Sequence, residues 1–154
     1  MATILAKHKI ETPEAMHDLG LSLGATFKAG DLVLLTGPLG AGKTTLTRGI
    51  GEALGAIGNV SSPTFVIART HKLDGKRAEL GETVFVHVDA YRLSSAAELD
   101  DLDIDFENSI TVVEWGKGYT DGITDRWLEI EIERDHTGES DVREVVVSEH
   151  NSNA

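Results

Sequence analysis

The chain has 154 residues and no cysteine, which is enough for one domain with its own core and excludes disulfide scaffolds, thiolate metal sites and cysteine nucleophiles. Hydrophobic residues make up 40% and charged residues 26% of the sequence, both near the averages of globular proteins, so wholesale disorder is excluded. The formal net charge is −12, which argues against a surface that grips nucleic-acid phosphates on its own.

The N-terminal part of the chain predicts two strand–helix units. Residues 2–11 are expected to form a strand, and Thr12 followed by Pro13 is typical of a helix start. Apolar residues then recur at helical spacing: Met16, Leu19, Leu23 and Phe27. Residues 32–35 are apolar in succession, which indicates a strand buried on both faces, as in a parallel sheet. The helix that follows is expected to end at Gly55.

The rest of the chain predicts five strands and one short acidic helix. The strands are expected over 65–73, 83–89, 110–115, 127–133 and 142–149, and the helix over 95–102. The last two strands alternate apolar and polar residues, which predicts half-exposed antiparallel edge strands. The predicted fold class is therefore α/β, with a mixed central β-sheet, a few flanking helices and antiparallel strands at the C-terminal edge.

We expect a single domain over residues 1–149, followed by a polar tail over 150–154 that is disordered. No apolar run approaches the about 20 residues of a membrane span. The N-terminus lacks the apolar core and cleavage site of a signal peptide. These features predict a cytoplasmic protein.

A glycine-rich segment after the first buried strand matches the phosphate-binding pattern G-x-x-x-x-G-K-[ST] in full. Its residues are Gly37, Pro38, Leu39, Gly40, Ala41, Gly42, Lys43 and Thr44, followed by Thr45. Glycines let backbone N–H groups surround a phosphate, and the following helix presents its positive end to the same group. Lys43 is expected to reach the β- and γ-phosphates and Thr44 to bind Mg²⁺. The pattern and its flanks predict the P-loop NTPase fold.

A P-loop NTPase also needs a carboxylate at the end of a neighbouring strand to hold the magnesium shell. Asp89 and Glu114 each end a predicted strand, and the sequence leaves open which of them is dominant. His87 precedes Asp89 by two residues, so both side chains face the same side of the strand. His87 either orients water or is a hydrogen-bonded histidine of the core, and the second interpretation is the simpler one.

Four motifs in this order and spacing resemble the TsaE family, the small P-loop ATPases of bacterial tRNA threonylcarbamoyladenosine biosynthesis. They are the P-loop from Gly37 to Thr45, V-S-S-P-T-F over 60–65, H-V-D-A-Y-R-L over 87–93 and V-E-W over 113–115. The resemblance covers nearly the whole chain. Pro38 departs from the family pattern, which has an aspartate there, and so removes both a carboxylate and an N–H.

The resemblance implies an ATPase that binds ATP or ADP with Mg²⁺ and hydrolyses ATP slowly on its own. The implied catalytic residues are Lys43, Asp89, Glu114 and Thr64, the last as part of a switch. The implied metal-binding residues are Thr44, Glu114 and Asp89. Beyond the P-loop, the residues implied to touch the nucleotide are Glu11, Thr12 and Arg143.

The resemblance also implies a partner, the TsaD–TsaB pair, which transfers threonylcarbamoyl to an adenosine beside the tRNA anticodon. In this interpretation the chain acts on tRNA only indirectly, through the partners that bind it, which agrees with the acidic composition of the chain. Two alternatives stay open: a small-molecule kinase, and a nucleotide-gated binding module with negligible hydrolysis. The preference for ATP over GTP rests on the family alone.

Overall fold

The computed structural model describes residues 2–38, 42–58, 60, 68–73, 84–90, 93, 95–116, 120, 123–134 and 142–151. Its elements in chain order are β1 (Ala2–Ile10), α1 (Pro13–Gly24), β2 (Leu32–Thr36), α2 (Lys43–Leu54), β3 (Ala68–Lys72), β4 (Val84–Asp89), α3 (Ala96–Asp100), β5 (Ser109–Glu114), β6 (Arg126–Arg134) and β7 (Arg143–Asn151). These seven strands form one sheet in the order β1-β7-β6-β2-β5-β4-β3.

Strand β2 lies in the middle of the sheet, as its continuous apolar run predicts. It pairs in parallel with β5 and β6, and β5 pairs in parallel with β4. Val33 and Leu35 pack on one face of the sheet, in the core that includes Leu46 and Ile50 of α2. Leu32 and Leu34 face the opposite core, which includes Leu99 of α3. The prediction of an α/β fold with a mixed sheet and few helices is confirmed.

The antiparallel strands near the C-terminus are present, but the prediction that they form the edge is wrong. Strand β6 lies inside the sheet, parallel to β2 and antiparallel to β7, and β7 lies between β6 and β1. Strand β1 takes the edge because residues 2–10 pair along the open side of β7. The alternation in β6 and β7 arises because one face of each strand packs in the helix-covered core, where Ile130, Ile132, Val145 and Val147 lie.

The last strand runs further than predicted. His150 lies opposite Ala2 and Asn151 opposite Arg126, so the sheet includes two residues that were assigned to the tail. The His150 ring stacks on Trp127 with centroids 5.5 Å apart, and its Nε2 pairs with the Glu129 carboxylate. These side-chain contacts hold the end of β7 in place.

Helix α1 begins and helix α2 ends at the predicted positions, whereas α1 ends earlier than its predicted apolar stripe. Thr12 is the N-cap of α1, and its Oγ1 accepts a hydrogen bond from the Ala15 N–H at 3.0 Å. Gly55 ends α2 with a φ of 74°, in the left-handed region that favours glycine. Phe27, predicted to continue the apolar stripe of α1, lies beyond the helix end at Gly24 but is only 2% exposed.

Among the described residues, no helix is both long and apolar enough to cross a membrane.

Helices α1 and α2 approach each other closely at glycines. This close approach explains why α2 contains Gly49, although glycine is unfavourable inside a helix. A Cβ added at Gly20 of α1 would overlap the Leu46 carbonyl oxygen and lie 3.0 Å from the Gly49 Cα. A Cβ at Gly49 would overlap the His17 carbonyl oxygen. The two backbones therefore touch where no side chain intervenes, and this contact seats α2 against α1.

We expect Gly20→Ala to lower the free energy of unfolding by about 2 kcal/mol. Overlap with a backbone carbonyl places the cost of overpacking at the upper end of its usual range, about 3 kcal/mol, and the about 1 kcal/mol that alanine gains in helix propensity offsets part of it. Urea denaturation followed by circular dichroism measures the change. The control is Ser22→Ala on the exposed side of α1, for which stability equal to or above that of the wild type is expected. Equal stability of the two variants would contradict the close helix contact.

Candidate functional site

The carboxyl ends of three parallel strands bring the two predicted acids side by side. Asp89 at the end of β4 lies opposite Glu114 at the end of β5, and Glu114 lies opposite Leu35 of β2. The Trp115 N–H donates to the Leu35 carbonyl at 3.0 Å, which ties the end of β5 to the strand that leads into the P-loop. Ligands of open α/β sheets bind outside such carboxyl ends, so this corner is the candidate site.

Lys43, the first residue of α2, lies in the same corner and is buried. Its Nζ donates to the carbonyl oxygen of Gly37 and, at 3.4 Å, to that of Pro38. The Nζ also lies 4.4 Å from the centroid of the Trp115 ring, within the range of a cation–π contact. The lysine is thus held by the first residues of its own loop and by an aromatic face.

The charge of Lys43 is affected both by burial and by two nearby carboxylates. Burial lowers the pKa of Lys43 below its usual value, while the nearby carboxylates of Glu114 and Asp89 oppose that shift. Lys43 lies beside Trp115, the residue after Glu114, and Glu114 lies opposite Asp89, so the predicted catalytic cation and both predicted acids are neighbours. Of the two acids, Glu114 is buried and Asp89 is half-buried. Glu114 is therefore the more enclosed carboxylate and Asp89 the more accessible one.

Glu114 is hydrogen-bonded to a second strand. The distance between His87 Nε2 and Glu114 Oε2 is 2.7 Å, and the side chains are 0% and 4% exposed. The prediction that His87 is a hydrogen-bonded histidine of the core is thus confirmed, and its partner is a residue of the candidate site.

The end of the P-loop has the backbone that its glycine predicts. Gly42 has a φ of 107° and is the N-cap of α2, with no side-chain cap on the helix. A Cβ at this position would lie 3.2 Å from Met16 Cε of α1, so the first turn of α1 presses against the loop. A residue with a side chain would be strained here by its φ alone. Leu39, Gly40 and Ala41 lie outside the described residues.

The donor set of the corner fits a magnesium ion held together with a phosphate. Mg²⁺ is usually bound through one or two carboxylates plus substrate phosphates, in contrast to a cage made of protein ligands alone. Glu114 and Asp89 supply two carboxylates, and Thr44 supplies a hydroxyl in the first turn of α2. Within the described ranges no group of three or more His, Cys, Asp or Glu side chains is placed to hold a metal. This chemistry matches a shared protein–phosphate site.

The other predicted nucleotide contacts lie together at the N-terminal end of α1, the end that approaches the P-loop. Arg143 begins β7 and lies opposite Ile10, the residue just before Glu11 and Thr12. Thr12 caps α1, and Met16 in the first turn of α1 lies beside Gly42 of the P-loop. The junction at Glu11 and Thr12 is therefore one helical turn from the residue that meets the P-loop. Thr64, the predicted switch residue, lies outside the described residues.

Sequence reasoning missed two contacts of this site. One feature of the sequence could have indicated that Trp115 lies beside Lys43: Trp115 directly follows Glu114, the acid at the end of β5. Trp115 also has a φ of 59°, a conformation unusual for a bulky residue, and this turns the chain sharply at the end of the strand. The bond between His87 and Glu114 joins residues 27 positions apart, so it needed the register of β4 against β5.

Comparisons with known proteins converge on one family. A family model described as threonylcarbamoyl adenosine biosynthesis protein TsaE matches residues 10–145. A tRNA threonylcarbamoyladenosine biosynthesis protein TsaE of Streptomyces coelicolor is 52% identical over 122 residues, 77% of this chain and 79% of that protein. The protein of the same name from Bacillus subtilis is 33% identical over 129 residues, 83% and 77% of the two chains.

One solved structure extends this likeness to the fold. The crystal structure of Bacillus subtilis YdiB is similar with a TM-score of 0.73 at 28% identity, over 99% of this chain and 90% of that one. The range matched by the family model spans the candidate site from Glu11 to Arg143.

Proposed function

The chain belongs to the TsaE family, whose members act in tRNA threonylcarbamoyladenosine biosynthesis, and we propose that it is the Mg²⁺-dependent ATPase of that pathway. It would work with the TsaD–TsaB pair, which carries out N6-threonylcarbamoylation of the adenosine beside the tRNA anticodon. One observation carries the ATPase proposal. Lys43 of a complete phosphate-binding motif shares a corner with Glu114 and Asp89, at the carboxyl ends of parallel strands.

The mechanism assigns a role to each side chain of the corner. Lys43 exchanges the carbonyl oxygens of Gly37 and Pro38 for phosphate oxygens, and its charge offsets theirs. Thr44 and Glu114, with Asp89 beside them, would hold Mg²⁺, which when bound supplies further positive charge to the phosphates. Asp89 is the more accessible acid, and it, or a group delivered by the partner, orients the attacking water.

The charge of the chain supports an indirect role in tRNA modification. With a net charge of −12, the chain would be repelled by the phosphates of a free tRNA. A partner that holds the tRNA removes this difficulty. ATP binding and hydrolysis by this chain would then act on the partner complex, while the tRNA contacts belong to the transferase.

The function is tested by measuring steady-state phosphate release from ATP with Mg²⁺, with and without the cognate TsaD–TsaB pair. Slow release that the pair accelerates supports the proposal. Tight ATP binding without release, even with the pair, would instead indicate a nucleotide-gated binding module. Release that depends on an added small alcohol or acid would indicate a kinase.

Nucleotide binding is expected to change the fluorescence of Trp115, because Lys43 leaves the face of its ring for the phosphates. The chain has two tryptophans, so Trp115→Phe leaves only Trp127, which lies on β6 beside His150. Titration with ADP and Mg²⁺ should change the emission of the wild type and of Trp127→Phe, but not that of Trp115→Phe. A signal carried by Trp127 alone would place the nucleotide elsewhere.

A further inference from the structure

His87 is buried and is not among the residues expected to touch the nucleotide, yet it is hydrogen-bonded to Glu114, the more enclosed of the two acids of the site. His87 has no exposed surface, and its Nε2 lies 2.7 Å from Oε2 of Glu114, which is 4% exposed. A carboxylate that binds a metal is ionised and only accepts hydrogen bonds, so in that state the imidazole donates to Glu114 from Nε2. The bond engages one named oxygen of Glu114 and thereby sets the rotation of the carboxylate about its last torsion.

The ring of His87 is itself held in place by packing. It stacks on Phe85, two residues earlier in β4, with ring centroids 6.4 Å apart and planes 15° from parallel. The ring of His71 in β3 stacks on Phe85 at 5.8 Å and 26°. The His71 Nδ1 lies 3.0 Å from the Ile57 carbonyl oxygen, which anchors the far end of this row. Of these three rings His87 bonds to Glu114, whereas His71 lies on the other side of Phe85 and is bonded to Ile57.

The other nitrogen of His87, Nδ1, is buried and has no hydrogen-bond partner among the described residues. A histidine placed only to fill the core would gain nothing from a polar nitrogen there, because a buried polar group without a partner costs free energy. The bond between Nε2 and Glu114 is therefore the polar side-chain contact that holds this ring within the described part of the chain.

We propose that His87 is a positioning residue that orients the Glu114 carboxylate for Mg²⁺ through its Nε2–H donor. This inference rests on the proposed function, since it assigns Glu114 to the metal. Metal-binding carboxylates are commonly held by such outer hydrogen bonds, and loss of the outer partner typically lowers metal affinity about 10–100-fold. His87 does not touch the nucleotide in this assignment, so affinity for ADP without metal is independent of it.

The test measures Mg²⁺ affinity of the ADP-bound chain, and ADP affinity in EDTA, by isothermal titration calorimetry on the full chain. His87→Leu is expected to weaken Mg²⁺ binding about 10–100-fold and to leave ADP binding in EDTA unchanged. His87→Gln should restore most of the metal affinity, because its amide N–H can reach the position of Nε2, whereas His87→Asn is too short and should not. If His87→Leu fails to fold, the difference in Mg²⁺ affinity between His87→Gln and His87→Asn still tests the inference.

His71→Leu is the matched control, because it removes a buried imidazole from the same row of rings without touching Glu114. It should lower stability but keep the Mg²⁺ affinity of the wild type. Added to Glu114→Gln, His87→Leu should cost no further metal affinity, since its effect acts through the lost carboxylate. Wild-type Mg²⁺ affinity in both His87→Leu and His87→Asn would overturn the inference while leaving the proposed function intact. A wild type that binds no ADP would overturn the proposed function itself.

Discussion

Lys43→Ala is expected to reduce ATP turnover at least about a hundredfold. The substitution removes the positive side chain that the structure places near the P-loop carbonyls, Glu114 and Asp89. Loss of one preorganised group that stabilises transition-state charge typically costs about 10²–10³ in rate. The effect on ADP affinity should be smaller, because backbone N–H groups of the loop contribute to phosphate binding independently.

Phosphate release with the TsaD–TsaB pair present measures this effect. The control is Lys28→Ala, which removes an exposed lysine in the turn between α1 and β2 and should keep wild-type turnover. Because Lys43 is buried and paired, circular dichroism should first show that the variant is folded. A folded Lys43→Ala variant with wild-type turnover would mean that hydrolysis occurs at another site.

Glu114→Gln is expected to reduce turnover by a comparable factor, about a hundredfold, and to shift the Mg²⁺ dependence to higher concentration. The amide keeps the size of the side chain and an oxygen that can accept from His87, but it removes the negative charge that Mg²⁺ requires. The variant also leaves Lys43 with Asp89 as its remaining opposing acid, which preserves part of the local charge balance.

The measurement is phosphate release as a function of Mg²⁺ concentration. Glu107→Gln, an exposed glutamate in the 3-10 turn before β5, serves as the control and should behave as the wild type. Asp89→Asn in the same series shows which acid dominates: we expect a smaller shift in Mg²⁺ dependence than for Glu114→Gln. Equal Mg²⁺ dependence of Glu114→Gln and wild type would remove Glu114 from the metal site.

The parts of the fold that could be predicted are those encoded in adjacent residues. The composition of the apolar run Leu32–Leu35 predicts a strand that is buried on both faces, as observed. The P-loop pattern that follows can be identified without reference to any distant residue. Strand ends at Asp89 and Glu114 were predictable because the carboxyl ends of parallel strands meet at one edge of a sheet. The helix caps at Thr12 and Gly55 follow the same local chemistry.

The parts that could not be predicted depend on residues far apart in the chain. Alternation in β6 and β7 reports which face is buried, so it could not show that β1 pairs outside β7 or that the sheet continues to Asn151. The bond from His87 to Glu114 depends on strand register in the same way. The contact between Lys43 and Trp115 requires the turn at the end of β5, whose positive φ no sequence rule assigns to tryptophan.

The most direct test of the central claim is a crystal structure of the chain with Mg²⁺ and a non-hydrolysable ATP analogue. We expect the terminal phosphates to lie against Lys43, with Nζ withdrawn from the Gly37 carbonyl, and the metal to be bound by Thr44 and Glu114. We also expect His87 to keep its bond to Glu114 Oε2. An analogue bound away from the P-loop, or a metal held without Glu114 while Lys43 stays on its loop carbonyls, would contradict the account.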